Sequence, residues 1–157
     1  LSRSTDDIIA GLHAAKAAKE AEQKASRDAI AEEQRQAAET KRAAEDAFAT
    51  LRSLLEQKVA ETNEKLKGTD LEIMLGKDGQ AAPSNQLPTF VLRFTPVPQG
   101  VKAIVATFIP FIAGNTQVRF KRLNETTILD DRSYTTANFT SQQAEMIINK
   151  FLELATS

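Results

Sequence analysis

The chain of 157 residues has no cysteine and no tryptophan, one tyrosine and one histidine. Without cysteine there is no disulfide framework, no thiolate nucleophile and no Cys-ligated zinc or iron–sulfur centre. The one histidine, His13, lies on an alanine-rich stretch far from most aromatics and prolines. No Ser-His-Asp set can form around the C-terminal half, and His13 reads as a surface residue, since metal ligands come in clusters. No charge sign dominates: 20 Lys and Arg face 21 Asp and Glu. Up to Gly68 the balance is 12 to 13. A general nucleic-acid or membrane-surface binder would show a basic bias. Long apolar runs are also lacking. The longest, Ala103 to Ala113, contains Pro110 and is too short to span a membrane. The N-terminus lacks the apolar core of a secretory signal, and the chain begins at Leu1 rather than Met, as a fragment would. No cofactor and no metal is expected, and the chain reads as a non-enzyme.

Proline is absent before Pro83, and glycine is absent between Gly11 and Gly68. What fills that space is Ala, Glu, Lys, Gln and Arg, the strongest helix formers. One helix is predicted over Asp6 to Lys67, roughly 90 Å at 1.5 Å per residue. Ser4 with Asp7 resembles a capping box, and Asp6 and Asp7 suit the positive end of the helix dipole. After the small patch Ile8, Ile9, Leu12, the only large apolar residue up to Ala47 is Ile30. Charged pairs four apart, such as Lys16/Glu20, Arg35/Glu39 and Lys41/Glu45, each add about 0.2–0.5 kcal/mol. This part reads as a solvated helix or a thin, alanine-seamed coiled coil.

From Phe48 the pattern changes. Phe48, Leu51, Leu55, Val59, Thr62 and Leu66 form a stripe, widened by Leu54, that repeats every eleven residues and favours a nearly straight helix. Such a stripe needs a partner, either a second copy of the chain or the chain's own C-terminal part. Self-association is the stronger reading, because the earlier turns cannot fold over their own helix without a loop. The stripe is therefore expected to be a homodimer seam.

Beyond Gly68, a suitable C′ residue, lie all five prolines and eight of nine aromatics. The division expected is 1–68 as a helical rod and 69–157 as a small head. Strands are predicted at 71–75, 90–95, 101–112, 116–123 and from 126 toward 134, with breaks at Gly76–Gly79, at 96–100 and at Asn124-Glu125. Gly76-Lys77 lacks the remainder of a phosphate loop. Gly114-Asn115 reads as a two-residue hairpin turn. That register sets Ile109 opposite Phe120 and Phe111 opposite Val118. One face would carry Val101, Ala103, Val105, Ile109, Phe111, Val118 and Phe120. The other would carry Ile104, Ala106, Phe108, Ile112 and Leu123 beside Gln117, Arg119 and Lys121. Thr140 with Gln143 is a capping box, with Phe139 as a staple residue. Ala144, Ile147, Ile148, Phe151 and Leu152 make an apolar helical stripe expected on the Ile109/Phe120 face. The fold class is α+β: a long N-terminal helix forming a coiled coil, then a small antiparallel meander packed by a C-terminal helix.

Asp130-Asp131 is the one adjacent carboxylate pair in this part, but neighbours on a strand point to opposite faces and cannot form a dyad. Arg119, Lys121 and Arg122 around Phe120 resemble the basic, aromatic strands of single-strand binders. The simpler reading is that Arg119 and Lys121 solvate one face. Asn124-Glu125-Thr126 and Asn138-Phe139-Thr140 match the glycosylation pattern and read as chance.

The element order, carried by the stripe Phe48 to Leu66, the strands Phe90–Thr95, Val101–Ile112 and Thr116–Leu123 and the helix Ser141–Leu154, resembles coiled-coil-plus-RWD-type heads of kinetochore and spindle-checkpoint adaptors. The alanine-rich rod alone is similar to bacterial envelope-spanning helices of the TolA type. Either likeness implies a docking head on a spacer. The function expected is a non-enzymatic dimeric scaffold whose head binds a protein partner through Ile104, Phe108, Ile112, Arg119 and Lys121. The alternatives are a nucleic-acid module using Arg119–Arg122, and an envelope-spanning helix with a docking head.

Overall fold

The computed structural model describes residues 4–79, 81–95 and 103–157. Helix α1 (Thr5–Lys65) is followed by strands β1 (Ile73–Lys77), β2 (Phe90–Phe94), β3 (Ile104–Pro110), β4 (Asn115–Arg122) and β5 (Ile128–Thr135), then helix α2 (Ser141–Thr156). The five strands form one antiparallel sheet in sequence order. The class is α+β, with a long N-terminal helix, an antiparallel sheet and a C-terminal helix. The chain divides into two compact units, Leu1–Glu39 and Thr40–Ser157.

The first unit is helix. Ser4 accepts a hydrogen bond from the Asp7 amide at 3.2 Å, the half of the capping box that protects the first turn. Every described residue up to Glu39 is exposed. Side chains support the helix locally: Arg35 bonds both Glu32 and Glu39, and Lys16 lies 3.9 Å from Glu20. The Arg35 hydrogen bond draws the Glu32 carboxyl below its ordinary value of 4.5.

The second unit is a two-layer sandwich. On α1 it buries Ala44, Phe48, Leu51, Leu55 and Val59. These face the sheet of the same chain, where the Phe48 ring lies 5.3 Å from Phe90. The stripe expected as a dimer seam is therefore core: Leu51 and Leu55 are 1% and 0% exposed, and each such burial contributes about 1.5–3 kcal/mol. Leu66 packs partly against the same core, and Thr62 returns its hydroxyl to the Lys58 carbonyl. The sheet competes better than a second helix for the stripe because it offers Phe90, Leu92, Phe94, Phe108 and Phe120 on one face. The helix ends near Gly68, whose φ of +88° no side chain adopts easily. Asn63 then fixes the return of the chain. Its side chain donates to the Ile73 carbonyl at 2.9 Å and accepts from the Ile73 amide at 2.8 Å.

Helix α2 covers the same face. Thr140 and Gln143 form the full capping box, and Ala144, Ile147, Ile148, Phe151 and Ala155 are buried. The Phe151 ring is 4.8 Å from Phe94.

The β3–β4 register differs from the expected one. Phe108 faces Val118 and Ala106 faces Phe120, while Ile109 faces Gln117. The connection is a three-residue loop, Ile112-Ala113-Gly114. It is closed by Phe111 N–H to Asn115 O at 2.8 Å and Gly114 N–H to Phe111 O at 3.0 Å. Gly114 takes the positive φ, +112°, that ends such loops. The offset is odd, so it turns every β3 side chain to the other face relative to β4. Phe120 thus shares its face with Ile104, Ala106 and Phe108, and α2 packs there rather than over Ile109. Val101, expected on the Ile109 face, lies outside the described residues, as does the expected break at 96–100. Gly76 and Lys77 belong to β1 rather than to a turn.

Candidate interaction surface

The two faces of the sheet differ in kind. Phe90, Leu92, Phe94, Ile104, Ala106, Phe108, Val118 and Phe120 are all buried beneath the helices. The pleat sends the alternate residues of each strand the other way. There Val91, Val105, Thr107, Ile109, Gln117, Arg119 and Lys121 are half-buried, and Arg93 is exposed. None of these is fully covered.

Register sets this face in rows. Val91 lies opposite Thr107, which lies opposite Arg119, which lies opposite Asp131. Val105 pairs with Lys121, Met74 with Arg93, and Ile109 with Gln117. The centre is apolar and β-branched, and the flanking side chains are cationic. Asp131 is the counterweight: it accepts from Gln117 Nε2 at 2.9 Å and lies 3.8 Å from Arg119 Nε. That distance is an ion pair and not a hydrogen bond. Arg119 Nε is shielded from solvent and has no hydrogen-bond partner among the described residues.

Asp130 and Asp131 are separated by the pleat, as adjacent strand residues must be. Asp130 bonds Arg132 at 2.9 Å on the helix side, where Arg132 lies 6.0 Å from the Phe120 ring centre. Burial there opposes the Arg132 charge, but hydrogen bonds to Tyr134 and Asp130 outweigh it and raise its pKa. The pair lies over the core at the β5 border, beside Phe120.

Five side chains were expected to bind a partner, and the structure separates them. Ile104 and Phe108 are core, 2% and 0% exposed, a correction that follows directly from the register. Ile112 sits in the hairpin loop, half-buried. Arg119 and Lys121 do share the open face. The basic run Arg119–Arg122 is split, because Arg122 pairs with Ile104 on the opposite pleat. Val91, Arg93, Thr107 and Ile109 were missed as members of this face. The signal that would have found Thr107 and Ile109 is Pro110, whereas Val91 and Arg93 also need the order of the strands. A proline cannot donate to a ladder and marks the strand's end, which puts the loop after Phe111 and sets the true parity.

Among the described residues no group of three His, Cys, Asp or Glu side chains could hold a metal ion. No helix among them is long and apolar enough to cross a membrane. No family model matches the chain, and neither a curated protein nor a solved structure matches it significantly. The likeness to RWD-type heads is one of element order alone.

Proposed function

We propose that this chain is a non-enzymatic adaptor whose second unit docks a protein partner on the open face of its sheet. One observation carries the reading: a sheet with both helices on one side leaves Val91, Val105, Thr107 and Ile109 uncovered, ringed by Arg93, Arg119 and Lys121. An apolar centre with a charged rim is the anatomy of a protein interface. The half-buried side chains of Arg119 and Lys121 add charge at the rim for a partner carboxylate. A photo-crosslinking residue at Thr107 tests this, with Glu145 on the exposed side of α2 as the control position. A discrete adduct from Thr107 alone, lost on Arg119→Glu/Lys121→Glu, supports the docking face. Equal labelling from both positions sinks it.

Homodimerisation belongs to this proposal in altered form. With Phe48, Leu51, Leu55 and Val59 buried, the self-pairing we propose uses the first unit, where Ile8, Ile9, Leu12 and Ile30 are exposed. Two copies so joined would add avidity for a repeated partner. Light scattering over a concentration series reads it directly: a dimer that Leu12→Glu/Ile30→Glu returns to monomer supports the pairing, and a monomer throughout removes it.

Nucleic-acid binding is the second reading, favoured by Arg93, Arg119 and Lys121 on one face. Against it, the phenylalanines within β2, β3 and β4 all point into the core, which leaves that face the half-buried Phe111 just past β3 and no row of rings for successive bases among the described residues. Anisotropy of a labelled oligothymidine at low salt decides: affinity that falls steeply with salt supports this reading, and no binding excludes it.

A further inference from the structure

The loop before β2 is held as firmly as a strand. Asn85 O accepts from Ile112 N–H at 3.0 Å, Leu87 N–H donates to Pro110 O at 2.9 Å, and Gln86 bridges to Phe111. Leu87 is 4% exposed and anchors it. Between this loop and α1 runs a groove of about 740 Å³. Its floor is Phe48, Leu87 and Ile112, with Pro83 and Pro88 on the wall. Its rim carries Lys41, Arg52 and Lys77 against one carboxylate, Glu45.

We propose that this groove binds a small carboxylic acid with an aryl or alkyl tail. The volume falls in the range of small-molecule sites, and an apolar floor with few polar groups is their usual lining. The charge selects the head group. Lys41 and Lys77 make no ion pair among the described residues, while Arg52 is paired with Glu56, so two unpaired cations stand over Glu45. Arg52 is already positioned: its Nε donates to Glu56 at 3.1 Å, and its guanidinium carbon lies 5.4 Å from the Phe90 ring centre. That leaves both terminal nitrogens of its planar fork free for a carboxylate, the geometry for which Arg is suited. The tail would lie on Phe48 and Leu87, where water gains little by staying. This site is separate from the open sheet face, which lies on the other side of the sheet from Phe48.

The test is an amide-resolved NMR titration of the whole chain with 4-phenylbutyrate, its neutral amide and the matching phenylbutylamine. Saturable shifts at Ala49, Ser84, Gln86, Leu87 and Ile112 are expected with the acid. The amide should bind about tenfold more weakly, as loss of a charge-assisted hydrogen bond implies, and the amine should not saturate. Lys41→Gln/Lys77→Gln should weaken the acid about tenfold. Both lysines are exposed, so the variant's spectrum should otherwise match the parent. Should it not, Lys77→Gln alone serves, with a smaller loss in the same direction. Binding of the amine as tight as that of the acid, an unchanged affinity in the variants, shifts elsewhere, or no saturation at all would each overturn the proposal.

Discussion

Helix α1 contains two stretches that obey different physics. From Thr5 to Glu39 every described side chain is exposed, and the large apolar residues are few. From Ala44 to Val59, buried positions recur at spacings of three and four and join the core of the sheet. The first stretch is helical because its residues lose little on becoming helical and its charges pair along the surface. The second contains Phe48, Thr50 and Val59, poorer helix formers, and is held by what it covers. One secondary structure thus has two separate causes, and each cause fails to a different insult.

The largest expected effect separates them outright. Phe108→Asp places an unpaired carboxylate in the core and should cost about 4–5 kcal/mol or more, enough to unfold the second unit in a urea titration. Ile30→Asp in the first stretch should leave the midpoint in place. A folded Phe108→Asp would mean that the face assignment is inverted. Next, Leu55→Ala should lose about 2–5 kcal/mol, against under about 0.5 kcal/mol for Leu12→Ala. Native-state hydrogen exchange sharpens the same contrast. Amides of residues 8–39 should exchange by local fraying, and those of residues 51–59 should follow global unfolding. Equal protection in both stretches would show that the first has a partner in solution.

Smaller still, Thr140→Ala should cost about 1 kcal/mol by removing one half of the α2 capping box. The thermal midpoint of the second unit would register it. The smallest effect is a titration. The Arg35 hydrogen bond lowers the folded pKa of Glu32, so its support of the helix is complete above the ordinary value of 4.5 and is lost as pH falls through the lowered value. A carboxyl-carbon NMR titration should find Glu32 below 4.5. Arg35→Gln should return it upward, and high salt should shrink the difference because both groups are exposed.

Much of this fold was legible in the sequence. Helix periodicity, the Gly68 stop, the Thr140–Gln143 cap and the alternation of Phe90 to Phe94 are local signals with local causes. The partner of the Phe48–Leu66 stripe was not legible, since an apolar stripe states that it must be covered and not by what. The open face was lost to parity. Both the two-residue and the three-residue turn satisfy Gly114, and the choice between them inverts β3. Arg119 and Lys121 were correctly placed together because both lie on one strand, where relative orientation needs no register. Arg93 could not be added without the order of the strands.

The paired hydrogen bonds of Asn63 to Ile73 have a consequence for the margins of the sheet. β1 and β5 both end the ladder, and a free margin is a template on which a foreign strand can be laid down. At Ile73 the amide side chain imitates a peptide group and occupies both backbone positions from outside. The β1 margin is thereby sealed at its start by a residue of α1. Along β5 it is guarded by the charges of Asp130, Asp131 and Arg132. A chain with one margin plugged at its start and the other electrified is poorly suited to growing into fibres.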